Sequence, residues 1–491
     1  MRGIPRLRAG APSPGGGAWI RASGAEKGAA RTRGPARGRL EAILAPGDLW
    51  RCLPENVMPS HEPTLALTPA RPAYRFLTGR RGLLLLMVLA ALALRVGYQP
   101  LAPRVDPCLR KDALYADARD YHRLAVSLLD GRGFARSKGK PTSSRPPGLS
   151  FALAAFYRVA GPDPMAAKYL QAVVSGLTVL IVFLLGRTLF GPRGGLVAAG
   201  ITAIHPLLIA TTAWLCAETL YLAVLGLFLL LQVQLVDRAD GWRALAAGVL
   251  GGAATLLRPS HLALMLLVPL WALLVYRNRG RAARITALIA IGWALLVLPW
   301  SARNYLVQGQ FTLVSCNAGY NLWWGSCKQL GGERLEAVVH PGMSELEFDA
   351  AVRRRALTWI RSHPAEYAWG AMRKCGQALD PLRLGKTPVS FAPWLKTIGW
   401  LAQAIFLGLA AVAVVLSRRS WRRALALYLP VVSVLVMSAV FFAGTRFSMP
   451  ALFSVTIFAS YALIRLSGPS EDKESSESVS PSVDGHGLPS G

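Results

Sequence analysis

Apolar side chains in this chain gather into about ten uninterrupted blocks, each close to the roughly 17 to 25 residues a helix needs to cross a hydrocarbon core. They run 82–98, 165–189, 194–212, 215–236, 242–257, 261–276, 285–300, 394–416, 424–442 and 447–464. Lipid offers no hydrogen-bond partners, so a backbone entering it must satisfy itself as helices or as a closed barrel. The blocks are rich in Leu and Ala and do not alternate, which selects helices. With 53% hydrophobic and 16% charged residues, the chain is too apolar for an ordinary soluble protein of this length. The predicted fold class is an all-α polytopic membrane protein.

The formal net charge of +29 reflects where the arginines sit. Arg80 and Arg81 precede the first block, so the positive-inside rule places the N-terminus in the cytoplasm. Arg187 with Arg193, Arg238 with Arg243, Arg277 with Arg279 and Arg281, and the Arg418, Arg419, Arg422, Arg423 group then fall on the same side. Such a distribution reports topology and not a nucleic-acid footprint. The opposite, extracytoplasmic side receives two long polar segments, 99–163 and 302–393, with short turns near Trp214, Arg258 and Arg446.

Five regions follow. Residues 1–81, rich in Arg, Gly, Ala and Pro without apolar periodicity, are expected to be disordered; Met58 offers an alternative start that leaves a short basic arm, an idea a native peptide from 30–51 would sink. A transmembrane core spans 82–301 and carries the outer loop 99–163. A small helical outer segment covers 302–393, further membrane helices cover 394–466, and the Ser-rich stretch 467–491 is expected to be a disordered cytoplasmic tail.

The loop 99–163 is unlike an ordinary connector. Tyr121, Leu124, Ala125, Leu128 and Leu129 recur at the spacing of one helix face, which predicts an amphipathic helix ending before Gly131. Pro146-Pro147 then turns the chain into a short apolar helix over 149–160, better suited to the interface than to a crossing. In the second segment, Ser344 with Glu347 has capping-box spacing, a helix with Phe348, Val352, Ala356 and Ile360 on one side should follow, and Pro364 should start another with Glu366 in its first turn.

Asp117 stands where the chain enters the amphipathic helix, a position from which a carboxylate serves as a general base toward a hydroxyl or as a helix cap; spacing alone weighs the two equally. Asp120, one turn on, faces water or pairs with Arg119 or Arg123. Arg145, Arg258 and Arg303 all fall on the outer face beside prolines or helix ends, where guanidiniums suit a phosphate. Any one of them alone is explained by snorkelling to lipid headgroups; three near a carboxylate loop shift the balance. Glu218, at the outer end of a span, is an ionisable group in the membrane and so a functional candidate, although the helix N-terminus also accounts for it. Trp323-Trp324 fit the membrane interface better than a sugar-stacking role.

No metal set is apparent. His122, His205 and His261 lack a second ligand at i+4, no CxxC or Cys/His cluster has zinc spacing, and Asp117 and Asp120 are three apart. No cofactor and no metal is expected. Cys52 lies in the N-terminal segment and Cys216 at a helix end, while Cys108, Cys316, Cys327 and Cys375 fall in outer loops, where a Cys316–Cys327 disulfide is one option on an oxidising face.

Taken together, Asp117 to Tyr121 with Leu124-Ala125 and Leu128 to Phe134, Arg145-Pro146-Pro147-Gly148, Gln171 to Gly191, Ala217 to Leu220, Leu257-Arg258-Pro259, Pro299-Trp300 with Arg303-Asn304, and Arg446-Phe447 with Met449-Pro450 form a familiar pattern. Over roughly 82–464 the sequence resembles the bacterial membrane glycosyltransferases of the C-type fold, the family of protein mannosyltransferases and of the aminoarabinose and galacturonic acid transferases of lipid A. That resemblance implies a fold of about ten transmembrane helices with extracytoplasmic interfacial helices, in the bacterial inner membrane. It implies transfer of a monosaccharide from a polyprenyl-phosphate donor to a lipid or glycan acceptor on the extracytoplasmic face, with inversion. The family's catalytic aspartate matches Asp117, and Asp120, Tyr121, Arg145, Glu218, Arg258 and Arg303 are the candidate substrate-binding residues. Relatives often carry Asp-Glu at this position where this chain has Asp117-Ala118, which leaves part of the glutamate's work to Glu218. The competing readings are a permease or flippase for lipid-linked sugars, a protein O-glycosyltransferase, and an assembly subunit with a degenerate site. Ionisable groups gathered at the outer rim, with no internal repeat, favour the enzyme over the permease.

Overall fold

The computed structural model of the protein describes residues 79–106, 109, 114, 117–136, 139–328, 342–379 and 393–467. The expectations for 1–78, for the tail beyond 467, and for Cys52, Met58 and Cys108 lie outside the described residues.

The chain is a multi-pass bundle with no β-strand among the described residues. In order, the helices are α1 Arg80–Val105, α2 Asp117–Leu129, α3 Gly148–Ala160, α4 Pro164–Ile204, α5 Pro206–Ala210, α6 Glu218–Asp237, α7 Gly241–Leu257, α8 His261–Val275, α9 Arg279–Gln308, α10 Ala318–Trp323, α11 Glu345–Ser362, α12 Pro364–Leu379, α13 Pro393–Leu416, α14 Trp421–Val440 and α15 Thr445–Leu466. Every apolar block of the sequence is largely helical; among the described residues six helices are long and apolar enough to cross a membrane, and the others are shorter. Two of them fuse into α4, which is broken at Gly191, where φ is 79°. That left-handed turn costs little only for glycine, so the two limbs cross the bundle as separate segments.

Burial orders the bundle. The apolar window of α15 is 83% buried and that of α1 only 22%, so α15 is central and α1 lines the periphery. Helix α15 packs on α4, α6, α13 and α14, while α7 packs on α9 and α1 on α4. The contacts also sort the helix ends. Arg423 pairs with Asp237 at 2.7 Å, Tyr276 donates to the Leu235 carbonyl at 2.6 Å, and Phe190 stacks on Tyr461 at 4.6 Å. These groups share the arginine-rich end; the loops bearing Asp117, Arg145, Arg258 and Arg446 share the other.

The short helix predicted over 149–160 is α3, and the amphipathic helix is α2, which packs on α3 through Ser150 donating to the Tyr121 carbonyl at 3.2 Å and His122 meeting the Tyr157 hydroxyl at 3.0 Å. In the second outer segment the capping box is formed in both directions, Glu347 N to Ser344 Oγ at 3.2 Å and Ser344 N to Glu347 Oε2 at 2.8 Å. Val352 and Ala356 are buried as the spacing required, and Glu366 lies in the first turn of α12.

One buried charge went unnoticed in the sequence. Arg95, in the middle of α1, is fully buried and donates to the carbonyls of Thr202 (2.9 Å) and Ala203 (2.8 Å) and to Ser175 Oγ (2.6 Å). Helix α4 stops there because Pro206 has no N–H to offer the Thr202 carbonyl, and Arg95 supplies the missing donors. Arg95→Leu should therefore leave unsatisfied carbonyls in a medium that cannot hydrate them, costing about 2–5 kcal/mol; thermal unfolding of the purified protein in detergent would read this as a clear loss of Tm.

The two thiols considered for a disulfide are both free. Cys327 is buried beside Ser326 on the α10–α11 core, and Cys316 points at Glu345 Oε2, 3.8 Å away.

Candidate active site

Four helix ends meet at the end of the bundle opposite the basic loops. Asp117 opens α2, Glu218 opens α6, Arg258 follows α7, and Arg446 lies in the first turn of α15. Arg145 reaches in from the turn before α3. Carboxylates belong at helix N-termini, where exposed N–H groups favour negative charge, so two of the acids sit where their own helices stabilise them.

The contacts form a continuous chain of charge. Arg145 Nη2 is 2.8 Å from Asp117 Oδ1, and its Nε and Nη2 donate to Asp120 Oδ2 at 3.0 and 2.9 Å. Arg446 Nη1 donates to Asp117 Oδ2 at 3.0 Å, and its Nε to Glu218 Oε1 at 2.9 Å. Arg258 lies 3.6 Å from the same Glu218 oxygen, donates to the Arg446 carbonyl at 3.0 Å, and sits 5.4 Å from the ring centres of both Tyr221 and Phe447. Three guanidiniums are thus matched by three carboxylates. Glu218 and Arg258 form the buried floor, whereas Asp117, Asp120, Arg145 and Arg446 keep 25–32% of their side chains accessible. The Asp117 carboxylate is reachable from outside.

Burial alone would raise the Asp117 pKa, but the guanidiniums of Arg446 and Arg145 outweigh it and hold the carboxyl below its ordinary value. Asp117 is an ionised acceptor at neutral pH. Tyr121, one turn along the same face, is buried; burial and the Asp117 charge push its phenol up. It remains a neutral donor. Glu218 Oε2 is buried and has no hydrogen-bond partner among the described residues, so one acceptor atom of the floor is left unsatisfied.

The approach of Arg145 to this cluster is decided by Gly148. A Cβ there would lie 2.9 Å from the carbonyl carbon and oxygen of Leu256 and from the Leu257 nitrogen, all backbone atoms that cannot step aside. Only glycine lets the Arg145-Pro146-Pro147 turn rest on the outer end of α7, beside Arg258. Gly148→Ala is expected to cost about 1–3 kcal/mol through overpacking and to displace Arg145; a fall in melting temperature together with lost substrate binding would show both.

Arg303 is the sequence candidate that stands apart. Its Nη1 donates to the Thr142 carbonyl at 2.8 Å and its Nη2 to the Phe134 carbonyl at 2.9 Å, with the guanidinium 4.9 Å from the Trp300 ring centre. No hydrogen bond or ion pair among the described residues links it to the Asp117 cluster. It holds the strand of chain that ends in Arg145, so its position corrects the expectation that it converges with Arg145 and Arg258. Asp120 pairs with Arg145, across the loop, in place of the local partners expected from helix spacing.

The matches to known proteins agree with this architecture. Residues 144–302 match the family model described as dolichyl-phosphate-mannose-protein mannosyltransferase. Among solved structures, the archaeal oligosaccharyltransferase AglB from Archaeoglobus fulgidus, in complex with an inhibitory peptide and a dolichol-phosphate, superposes with a TM-score of 0.50 at 14% identity, over 84% of this chain and 52% of its own. The chain has the C-type glycosyltransferase fold. It spans about half the length of that oligosaccharyltransferase. ArnT from Cupriavidus metallidurans, bound to undecaprenyl phosphate, matches at 16% identity over 79% of this chain and 78% of its own, with a TM-score of 0.39. No curated protein sequence matches the chain.

Within this C-type fold, three contributors were not among the sequence candidates for the site. Arg446, which the sequence places in an outer turn and in the family motif without marking it as a site residue, bridges Asp117 and Glu218; the signal for it is an arginine between two apolar spans on the face that positive-inside loops avoid. Glu345 accepts from Thr142 Oγ1 at 2.7 Å and from Ser143 N at 3.1 Å, clamping the segment before Arg145 from the second outer segment. Lys374 is buried and donates to the carbonyls of Gly325 and Phe441 at 3.0 Å each, which pins α12 to the end of α14 just ahead of Arg446. Neither Glu345 nor Lys374 has a local signature, because their partners are distant in sequence. Among the described residues no group of three or more His, Cys, Asp and Glu is placed to hold a metal ion.

Proposed function

We propose that this protein is a membrane glycosyltransferase that moves a monosaccharide from a polyprenyl-phosphate donor to a hydroxyl of a lipid or glycan acceptor, such as lipid A or a cell-surface polysaccharide. The observation that carries the reading is the accessible Asp117 carboxylate held between Arg145 and Arg446. The dolichyl-phosphate-mannose family match and the dolichol-phosphate in AglB support a lipid-phosphate donor.

In this reading the donor's phosphodiester anion draws Arg145 and Arg446 toward itself, using charge-assisted hydrogen bonds. Loss of those cations relieves Asp117, whose basicity rises as the donor binds. Asp117 then takes the proton of the acceptor hydroxyl while its oxygen attacks the anomeric carbon. The bond from that carbon to the phosphate oxygen breaks, and the electron pair leaves with the polyprenyl phosphate, whose charge the guanidiniums stabilise. A single direct displacement inverts the anomeric centre. Glu218 holds Arg446 and Arg258 in place. It takes over work that relatives give to the glutamate next to the base, a position where this chain has the buried Ala118. In this reading guanidiniums supply the positive charge at the leaving phosphate.

The site opens on the face away from the basic loops, which by the positive-inside rule is the extracytoplasmic face of a bacterial inner membrane. A protein acceptor is the second reading, favoured by the protein mannosyltransferase family match and by the peptide in AglB. Purified protein incubated with labelled polyprenyl-phosphate sugars should pass label to extracted membrane lipids or glycans, unchanged by EDTA. Label in protein would select the second reading, and translocation without product would identify a flippase.

A further inference from the structure

At the end of the bundle opposite Asp117, the turn after α8 and the turn between α13 and α14 border an open surface cavity of about 610 Å³ lined by Arg277, Ser420, Trp421, Arg422 and Arg423. Its charge is unbalanced. Arg423 is paired with Asp237 at 2.7 Å, and the neighbouring acid Asp240 is taken by Arg243 at 2.7 Å. Arg422 rests over the Trp421 ring at 5.6 Å. Neither Arg422 nor Arg277 has a carboxylate partner among the described residues, and both are exposed. Two free guanidiniums therefore face one concave space.

What surrounds the cavity says which anion fits. Leu273 and Leu274 at the end of α8, Val415 and Leu416 at the end of α13, and Trp421 itself are exposed apolar side chains on the helix ends that lead into these two turns. Guanidiniums prefer planar oxyanions such as phosphate, and a tryptophan at a helix end is at home among headgroups. A free inorganic phosphate would gain nothing from the apolar flank, whereas a phospholipid satisfies both parts, with acyl chains on the leucines and the phosphate between the arginines.

We propose that this cavity is a binding site for the phosphate headgroup of an anionic membrane phospholipid, separate from the transfer site. It ties the turn after α8 to the turn before α14 and so braces α14, the helix whose far end leads to Arg446.

The test compares the full-length protein with the Arg277→Gln/Arg422→Gln variant, whose altered residues are exposed and take no part in the Asp117 cluster. Native mass spectrometry and thermal unfolding would be run in vesicles of phosphatidylcholine alone, in vesicles containing phosphatidylglycerol, and in phosphatidylcholine with added inorganic phosphate. Phosphatidylglycerol should be retained and raise the Tm of the wild type, and the variant should bind it about 30-fold more weakly, at about a factor of five per arginine. Equal retention by the variant, an equal shift with phosphatidylcholine, or a shift with inorganic phosphate matching that of the lipid would each overturn the proposal. A variant that keeps its Tm in phosphatidylcholine while losing the phosphatidylglycerol shift would support it.

Discussion

Asp117→Asn is expected to lower the rate of sugar transfer by about 10²- to 10⁴-fold, the range supplied by a positioned general base, while the protein still inserts and folds. Asparagine fills the same volume and can still accept from Arg446 or Arg145. Those two arginines keep Glu218 and Asp120 as partners, so no buried cation is stranded. Single-turnover measurement with labelled donor separates the chemical step from binding; transfer at the wild-type rate would remove Asp117 from the mechanism. The pH dependence adds a second check. Because Arg446 and Arg145 hold the carboxyl below its ordinary 3.8, its ionised form is present above that value and is lost only as the pH falls through the lower folded value. The acid limb of kcat/KM, which reports the free enzyme, should therefore lie below pH 3.8. A limb at the usual aspartate value or above it would mean that the guanidiniums do not face the base.

Arg446→Met is expected to be the most damaging single change at the site. It removes the partner that Asp117 and Glu218 share, and Glu218 is then left in the buried floor with only Arg258, 3.6 Å away. Removing one member of a buried ion pair costs about 3–5 kcal/mol because the remaining charge is uncompensated. Both the Tm and donor binding should fall. The double change Arg446→Met with Glu218→Gln separates the causes: the charge of the cluster is balanced again, but the buried Arg258 loses its carboxylate partner, so the stability should return only in part, while donor binding stays lost. Recovery of donor binding in the double variant would show that Arg446 acts only as a structural partner of Glu218. Arg446→Lys, which keeps the charge but cannot contact both carboxylates in the same planar fork, should fall between the two.

The candidate site was legible in proportion to how local its geometry is. Asp117, Asp120 and Tyr121 lie within two turns of one helix, whose start and apolar face the sequence marks, so they stand out together and Asp117 matches the aspartate that the family resemblance singles out. Arg145 and Arg258 were found because each follows or precedes a proline at the outer end of an apolar block, and topology alone assigns such a residue to a face. The same argument drew in Arg303, which shares the face but is turned toward the carbonyls of Phe134 and Thr142. Face membership carries no information about direction around the helix axis once neighbours compete for a donor. Arg95 shows the limit inside the membrane, since nothing next to it in sequence reveals that Pro206, on another helix, leaves a carbonyl in need of it.

Read as a string of residues, this chain already determines that it is a helical membrane protein, which of its two ends is basic, and where the polar loops emerge. Those properties follow from hydrophobic length and from the cost of an unpaired backbone in lipid, both of which are sums over neighbouring residues. Tertiary structure alone decided that Arg446 joins Asp117 to Glu218, that Gly148 lets the Arg145 turn rest on α7, and that Arg303 braces the loop from outside the cluster. Ion pairs and close backbone contacts depend on a few ångströms between segments hundreds of residues apart. Only the packed bundle sets those distances.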